Sequence, residues 1–273
     1  STLGYYSEFD NHSGKIQRNE LSLNTFAYNL KNDSFGVNIL GRPTEIYNFY
    51  EPGSFDQSSF FIEPKYIGAY LTYSSNYNRK FAIDIIPSYR LYDQENRENY
   101  GLLISPRYRF NDHLLVNLDY DYYRQNNNIG RIELYEFDET NDKIFARRNL
   151  VTHVSTLNGK YAINNTMNIL LAVRHYWSYS KNEQFYTLLD DGTVEINNDY
   201  DQNNDINFNS WNFDLSYSWW FAPGSEMYIL YRNNSLSYNN EYKPRFIENA
   251  NDILKWENLN QIFSISLRYH IDY

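Results

Sequence analysis

From Phe263 to Tyr273 the chain alternates without a break. Phe263, Ile265, Leu267, Tyr269, Ile271 and Tyr273 are apolar or aromatic, and Ser264, Ser266, Arg268, His270 and Asp272 between them are polar. Successive side chains of a strand point to opposite faces, so this period of two predicts a strand with one apolar and one wet face. The same pattern recurs upstream. Lys80–Tyr92 sets Phe81, Ile83, Ile85, Tyr89 and Leu91 against Asp84, Ser88 and Arg90, and Asn99–Phe110 sets Tyr100, Leu102, Ile104 and Tyr108 against Ser105, Arg107 and Arg109. After a turn at Asn111-Asp112, Leu114, Val116, Leu118, Tyr120 and Tyr122 oppose Asn117, Asp119 and Asp121. Ile206–Ala222 is the clearest case, with Trp211, Phe213, Leu215, Tyr217, Trp219 and Phe221 on one face and Asp214 on the other. Pro87 and Pro106 cannot donate to a ladder and predict bulges or interrupted pairing.

Further strands are predicted at 2–9, 20–30, 34–40, 62–74, 166–181 and 225–238, and a less regular one at 148–163 whose facing the pattern leaves open. The segment around Phe246–Trp256 has helical character; elsewhere no amphipathic helix is expected. Short connections fall near 31–33, 75–79, 111–112, 164–165 and 223–224, and long ones near 10–19, 41–60, 93–98, 125–147, 182–205 and 239–259. An amphipathic strand alone fits a soluble antiparallel sheet equally well. Sorting of connections by length onto two ends is instead the habit of outer-membrane barrels. The expected fold is therefore all-β: a single antiparallel transmembrane outer-membrane β-barrel over residues 1–273, with about twelve strands and both ends periplasmic.

Composition narrows the class. Aromatics make up 19% of the chain, 29 of them Tyr, which suits membrane interfaces. Mean hydropathy is −0.71 and no apolar run approaches the ~18 residues of a spanning helix. There is no Cys, so neither a disulfide nor thiolate chemistry is available. The net charge of −10 argues against nucleic acid, which would demand a basic stripe.

With lipid against the apolar faces, the opposite faces would line a lumen carrying Asp84, Arg90, Arg107, Arg109, Asp119, Asp121, Arg174, Asp214, Arg268 and His270. Mixed charges of this kind form either a hydrated pore lining or pairs across a narrow interior.

Phe-Ala-Arg-Arg-Asn at 145–149, Ala-Val-Arg-His-Tyr-Trp-Ser at 172–178, Asp-Ile-Asn-Phe-Asn-Ser-Trp-Asn at 205–212, Trp-Trp-Phe-Ala-Pro-Gly-Ser-Glu at 219–226 and Ser-Pro-Arg-Tyr-Arg-Phe at 105–110 are distinctive. With them the chain resembles a family of Gram-negative envelope proteins that carry an amino-terminal domain similar to carbohydrate-binding module family 9, followed by a conserved domain of unknown function ending in a barrel. The resemblance implies that further strands precede this segment, which would be the carboxy-terminal part of a larger barrel. It transfers no catalytic residues.

Candidate chemistry is sparse. Asp199, Asp201, Asn203 and Asp205 alternate and could offer hard oxygens to calcium, although a calcium loop's glycine and closing glutamate are missing; a solvated loop is the alternative. The five His show no ligand spacing, and nothing selects a carboxylate pair for glycoside hydrolysis or a Ser-His pair for ester hydrolysis. Aromatics in the connections, such as Tyr47, Phe49 and Trp256, could stack sugars or sit at the interface. The expected function is a non-enzymatic, porin-like or transport barrel linked to saccharide uptake. The alternative is a structural or assembly component with a plugged lumen and loops that dock another envelope protein. Expected partners are membrane lipid and, through the last strand, the outer-membrane insertion machinery.

Overall fold

A computed structural model describes residues 1–53, 58–132 and 143–271. Twelve strands follow one another in space almost as they do in sequence: β1 (Thr2–Phe9), β2 (Ile16–Tyr28), β3 (Ser34–Arg42), β6 (Tyr66–Ser74), β7 (Phe81–Tyr92), β8 (Glu98–Arg109), β9 (Leu114–Arg131), β10 (Ile144–Ala162), β11 (Met167–Leu188), β13 (Ile206–Ala222), β14 (Ser225–Asn239) and β15 (Asn260–Arg268). Every pairing is antiparallel. The short β12 (Val194–Ile196) pairs with the top of β11, and β4 (Ile46–Asn48) with β5 (Phe61–Glu63) makes a separate hairpin. Among the described residues β1 and β15 have one neighbour each, so the order runs from edge to edge. The chain is thus all-β, an up-and-down antiparallel sheet as expected.

The register carries the period-two reading across strands. Tyr73–Ile85–Ile104–Tyr120, Leu118–Leu157–Val173–Phe213–Asn233 and Ile169–Tyr217–Ile229–Ile265 are rows of cross-strand partners, so the apolar positions of neighbouring strands share a face. Asp119–Thr156–Arg174–Asn212 is a row on the opposite face. The facing of β10 is settled in this way: Leu157 and Tyr161 belong to the apolar side. The prolines act as expected. The β6–β7 ladder skips from Tyr70↔Ser88 to Tyr73↔Ile85 beside Pro87, and the β8–β9 ladder from Ile104↔Tyr120 to Arg107↔Asn117 beside Pro106.

Several expectations need correction. The connections at 10–15 and 93–97 are tight rather than long. In the first, the Asp10 carboxylate accepts the Ser13 N–H at 2.6 Å and Gly14 adopts φ 68°. The 125–147 and 182–205 stretches are partly strand, because β9, β10 and β11 run past the rest of the sheet. β15 ends at Arg268, which leaves Tyr269, His270 and Ile271 beyond it, and Asp272 and Tyr273 lie outside the described residues. The helical character expected around Phe246–Trp256 takes the form of α1 (Phe246–Ile253), followed by a 3₁₀ turn at Trp256–Asn258.

Adjacent short turns are clamped together by Asp33. Its carboxylate accepts from Asn29 Nδ2 (3.0 Å), the Asn76 N–H (3.0 Å) and Arg79 (2.8 Å), joining the β2–β3 and β6–β7 turns. Those hydrogen bonds, Asn29 first and then Arg79, hold its pKa at about 2 instead of 3.8. A depressed carboxyl contributes stability above its unfolded pKa and loses it as pH falls through the folded value. Asp33→Asn is therefore expected to unfold more easily than the parent at pH 7, with the gap closing as both are titrated from 3.8 down to about 2; chemical unfolding followed by tryptophan fluorescence measures it.

A candidate site on the capped polar face

The hairpin β4–β5 sits at the end of the sheet where β9–β11 overrun. In β5, Glu63 pairs with Arg42 of β3 at 2.7 Å, and Phe61, two positions away, packs tilted against Phe145 of β10 with ring centroids 5.1 Å apart. β3 and β10 are five steps apart in the strand order, which in a flat sheet would separate them by about 24 Å. One short strand touches both, so the sheet curls. Arg42 shares the face of its partner Tyr66 and of Tyr92; on that face Asn99 is 4% exposed, whereas Leu71 and Leu91 on the opposite face are 50% and 48% exposed, so the polar side is the concave one.

Burial fastens this cap. Phe61, Ile129, Phe145 and Leu188 form a closed apolar cluster. Around it Asn48 Nδ2 donates to Glu63 (2.6 Å), the Arg131 N–H to Glu51 (2.9 Å) and the Ile62 N–H to the Gly192 carbonyl (2.9 Å). Burial raises the Glu63 carboxyl, but Arg42 and Asn48 more than offset it and leave the group below its ordinary value, charged at neutral pH.

Beneath the cap the concave face gathers arginine and tyrosine. Arg90 lies 4.3 Å and Arg42 4.9 Å from the Tyr66 ring centre, and Arg97 4.6 Å from that of Tyr92. Asn99 donates to both Tyr92 (3.0 Å) and Tyr123 (2.8 Å), and Arg97 Nη2 donates to Asn128 (2.9 Å). Gly68 faces Arg90 across the ladder, where an added Cβ would stand 3.3 Å from the Arg90 Cβ; glycine lets the guanidinium lie across the sheet. A recess of about 70 Å³ opens among Leu40, Tyr70, Ser88, Arg90, Asn99 and Tyr123. Asn99 Oδ1 in this recess and Arg97 Nε outside it are buried without hydrogen-bond partners. The site offers cationic donors and aromatic rings, the groups that take up anionic or polyhydroxylated solutes.

Of the residues expected to line the interior, Arg90 belongs to this cluster. Asp84 and Arg107 meet lower down at Tyr77, whose hydroxyl donates to Asp84 and whose ring lies 5.5 Å from the Arg107 guanidinium. Asp214 takes a two-pronged pair from Arg232 (2.7 and 2.6 Å), and Arg268 pairs with Glu226 (3.0 Å). Asp119, Asp121 and Arg174 face the same way without converging, Arg109 ends β8, and His270 lies past β15 with its N–H on Ser225 Oγ. Arg42, Arg97 and Glu63 escaped the sequence reading, because two of them sit in irregular stretches and the third ends a strand. For Glu63 and Arg97 the signal was a charge set within a few positions of Tyr66, Tyr92 and Tyr100; Arg42 had none.

The acidic run behaves as a structured loop. Asp205 accepts the Asn182 N–H (2.8 Å), Asn203 Oδ1 accepts the Asp205 N–H (3.0 Å) and Asp199 donates its own N–H to Asn197 (3.0 Å). No group of three or more His, Asp or Glu side chains converges as a metal site among the described residues.

The convex face is ordered in bands. Near the short turns lie the aromatic pairs Phe35–Tyr73, Phe81–Tyr108, Trp219–Phe221 and Phe221–Tyr269. Toward the capped end runs a second belt, Tyr100–Tyr122–His153–Trp177, with the last two rings stacked at 4.7 Å. Between the belts the same face carries Ile83, Ile85, Leu102, Ile104, Val116, Leu118, Leu157, Ile169, Leu171, Val173, Leu215, Ile229 and Ile265. On β8 the belts at Tyr100 and Tyr108 are eight residues apart, about 26 Å along the strand. No helix of the described residues is long and apolar enough to cross a membrane, which leaves crossing by strands unaddressed.

A family profile described as "Domain of unknown function (DUF5916)" matches residues 1–273. No curated protein matches. Among solved structures the chain is similar to a protein titled "Copper transporter OprC", at 10% identity and a TM-score of 0.47, over 86% of this chain and 37% of that one. The chain thus spans little more than a third of that protein's length.

Proposed function

For this chain, which belongs to the DUF5916 family, we propose an outer-membrane β-barrel segment that passes small polar solutes along its concave face, with saccharides and their anionic derivatives as the solute class. One observation carries the reading: an aliphatic band between two aromatic belts on the convex face, backed by a face of Arg, Asp, Tyr and Ser. That is the cross-section of a sheet with lipid outside and water inside. In this reading both ends of the chain are periplasmic and the overrunning β9–β11 face the exterior. Arg42, Arg90 and Arg97 with their tyrosines are the constriction, β4–β5 is its gate, and no bond-making chemistry is assigned to the chain. A second reading, a plugged scaffold, is favoured by the cap itself and by the Asp214–Arg232 pair.

Conductance of the refolded full-length protein in a planar bilayer separates the two. Transport predicts salt-dependent channels whose current falls when oligosaccharide is added. Silence from a folded, heat-modifiable protein refutes it in favour of the scaffold. Arg90→Ala is expected to shift the reversal potential in a salt gradient toward cation preference, because it removes a fixed positive charge from the narrow part.

A further inference from the structure

The helix α1 lies on the convex face. Phe246 packs against His175 and Trp177 (5.8 and 6.2 Å), residues that share a face with Val173 and Leu171 below them. Asn249 pins it there: Oδ1 accepts from Asn209 Nδ2 (3.0 Å), and Nδ2 donates to the Lys243 and Arg245 carbonyls (2.9 and 2.8 Å). His175 Nε2 in turn meets Asn209 Oδ1 at 3.2 Å. The helix is held by its polar side toward the capped end, and its other side overhangs the wall. A groove of about 170 Å³ remains beneath it, lined by Leu118, Leu157, Val173, Trp211, Ala250 and Ile253.

We propose that this groove holds one acyl chain of a bilayer lipid. The proposal rests on the reading of the convex face as lipid-facing, and adds a specific site to it. Three observations point to a hydrocarbon chain. The wall residues continue the aliphatic band without a break into Val116, Leu171 and Phe213, so the groove opens onto the surface that lipid covers. Its lining is almost wholly apolar, with Ser155 and His175 at its margin; a peptide occupant would bring backbone N–H and C=O groups that such a lining leaves unpaired, a penalty a hydrocarbon avoids. The segment that carries α1 also presents Ile247 and Trp256, 67% and 77% exposed, as an interfacial helix does. Trp211, expected to face open lipid, instead lines this groove and anchors its indole N–H on Asn233 (2.8 Å).

The test uses the full-length protein reconstituted in phosphatidylcholine that carries a photoactivatable diazirine in its acyl chain, with labelled peptides mapped by mass spectrometry. The proposal expects labelling enriched around Ala250–Leu254, Leu157 and Val173. Ala250→Trp and, from the opposite wall, Leu157→Phe should abolish that enrichment while labelling at Ile265 persists. Even labelling of the convex face, unaffected by either variant, overturns the proposal and leaves the membrane reading standing. Absence of labelling at Ile265 as well overturns both. Co-purification of a polypeptide cross-linked at the groove in place of lipid overturns the proposal too.

Discussion

Ile104→Arg is expected to cost about 2–4 kcal/mol of folded stability in a bilayer, the range for a cation placed at mid-depth on the lipid side of a barrel. Ile104 lies midway between Tyr100 and Tyr108 on β8, in one row with Ile85 and Tyr120. The next residue, Ser105, pairs with Asp84 on the concave side, and Ser105→Arg should be tolerated, since its charge enters water beside a carboxylate. The contrast between consecutive positions is what matters: the two variants differ in facing and hardly at all in depth. Urea unfolding in lipid vesicles, followed by the heat-induced shift on gels, measures both. Equal tolerance would mean that no hydrocarbon lies against the convex face, and the membrane assignment would fall with it.

The second large effect is expected from Phe61→Ala. Phe61 is 3% exposed within the cluster of Ile129, Phe145 and Leu188, and truncating so buried an aromatic costs about 3–5 kcal/mol. That cluster joins the hairpin to β9, β10 and β11, whereas the β-ladders are untouched. The loss should therefore appear as release of the cap rather than unfolding of the sheet. Protease should cut the 43–65 segment faster in the variant while the heat-modifiable barrel band survives. Under the transport reading, bilayer conductance should rise as the gate opens. Conductance that stays at zero with the cap demonstrably released would place the block deeper, and the scaffold reading would stand.

Facing was legible in the sequence wherever a strand crosses from water to an apolar surface and back, because burial of one face enforces alternation. Leu114–Tyr122 and Phe213–Trp219 needed no structure to be placed. Legibility stops where the strands leave that environment. Gln125–Asn128 and Asn182–Gln184 are polar throughout and read as connection, yet Arg148↔Asn128 and Arg147↔Gln184 are ladder partners. Pairing there is held by backbone hydrogen bonds with both faces in water or covered by loops, so no period is imposed. The facing of β10 was unreadable because its convex positions include His153, Ser155 and Gly159 while Leu150 and Val154 point the other way, and the register shifts beside Arg147 and Arg148 put their extra residues on β11 and β9 instead. The cap and the arginine–tyrosine cluster were invisible for a different reason. The cap depends on contacts between residues some 80 positions apart, such as Glu51 with Arg131, and the cluster on cross-strand contacts such as Arg42 and Arg90 with Tyr66, which local pattern does not encode. Asn207 and Asn209, 2% exposed each on the apolar side, hinted at where α1 seats: polar residues where the stripe should continue, of which Asn209 bonds Asn249 of the helix.

The near-sequential strand order also bears on how the sheet assembles. Each strand's partner is the next one made, so most ladders close loops of a few residues and grow by zippering. Between β3 and β6 the chain instead leaves the sheet for residues 43–65, roughly two further doublings of loop length, or about 1 kcal/mol of extra closure entropy. The connections at 189–205 and 240–259 are nearly as long, so the first three strands, β6–β11 and β13–β14 can each form a cooperative unit, with β15 added last. The hairpin that later spans the mouth lies at the first of these seams.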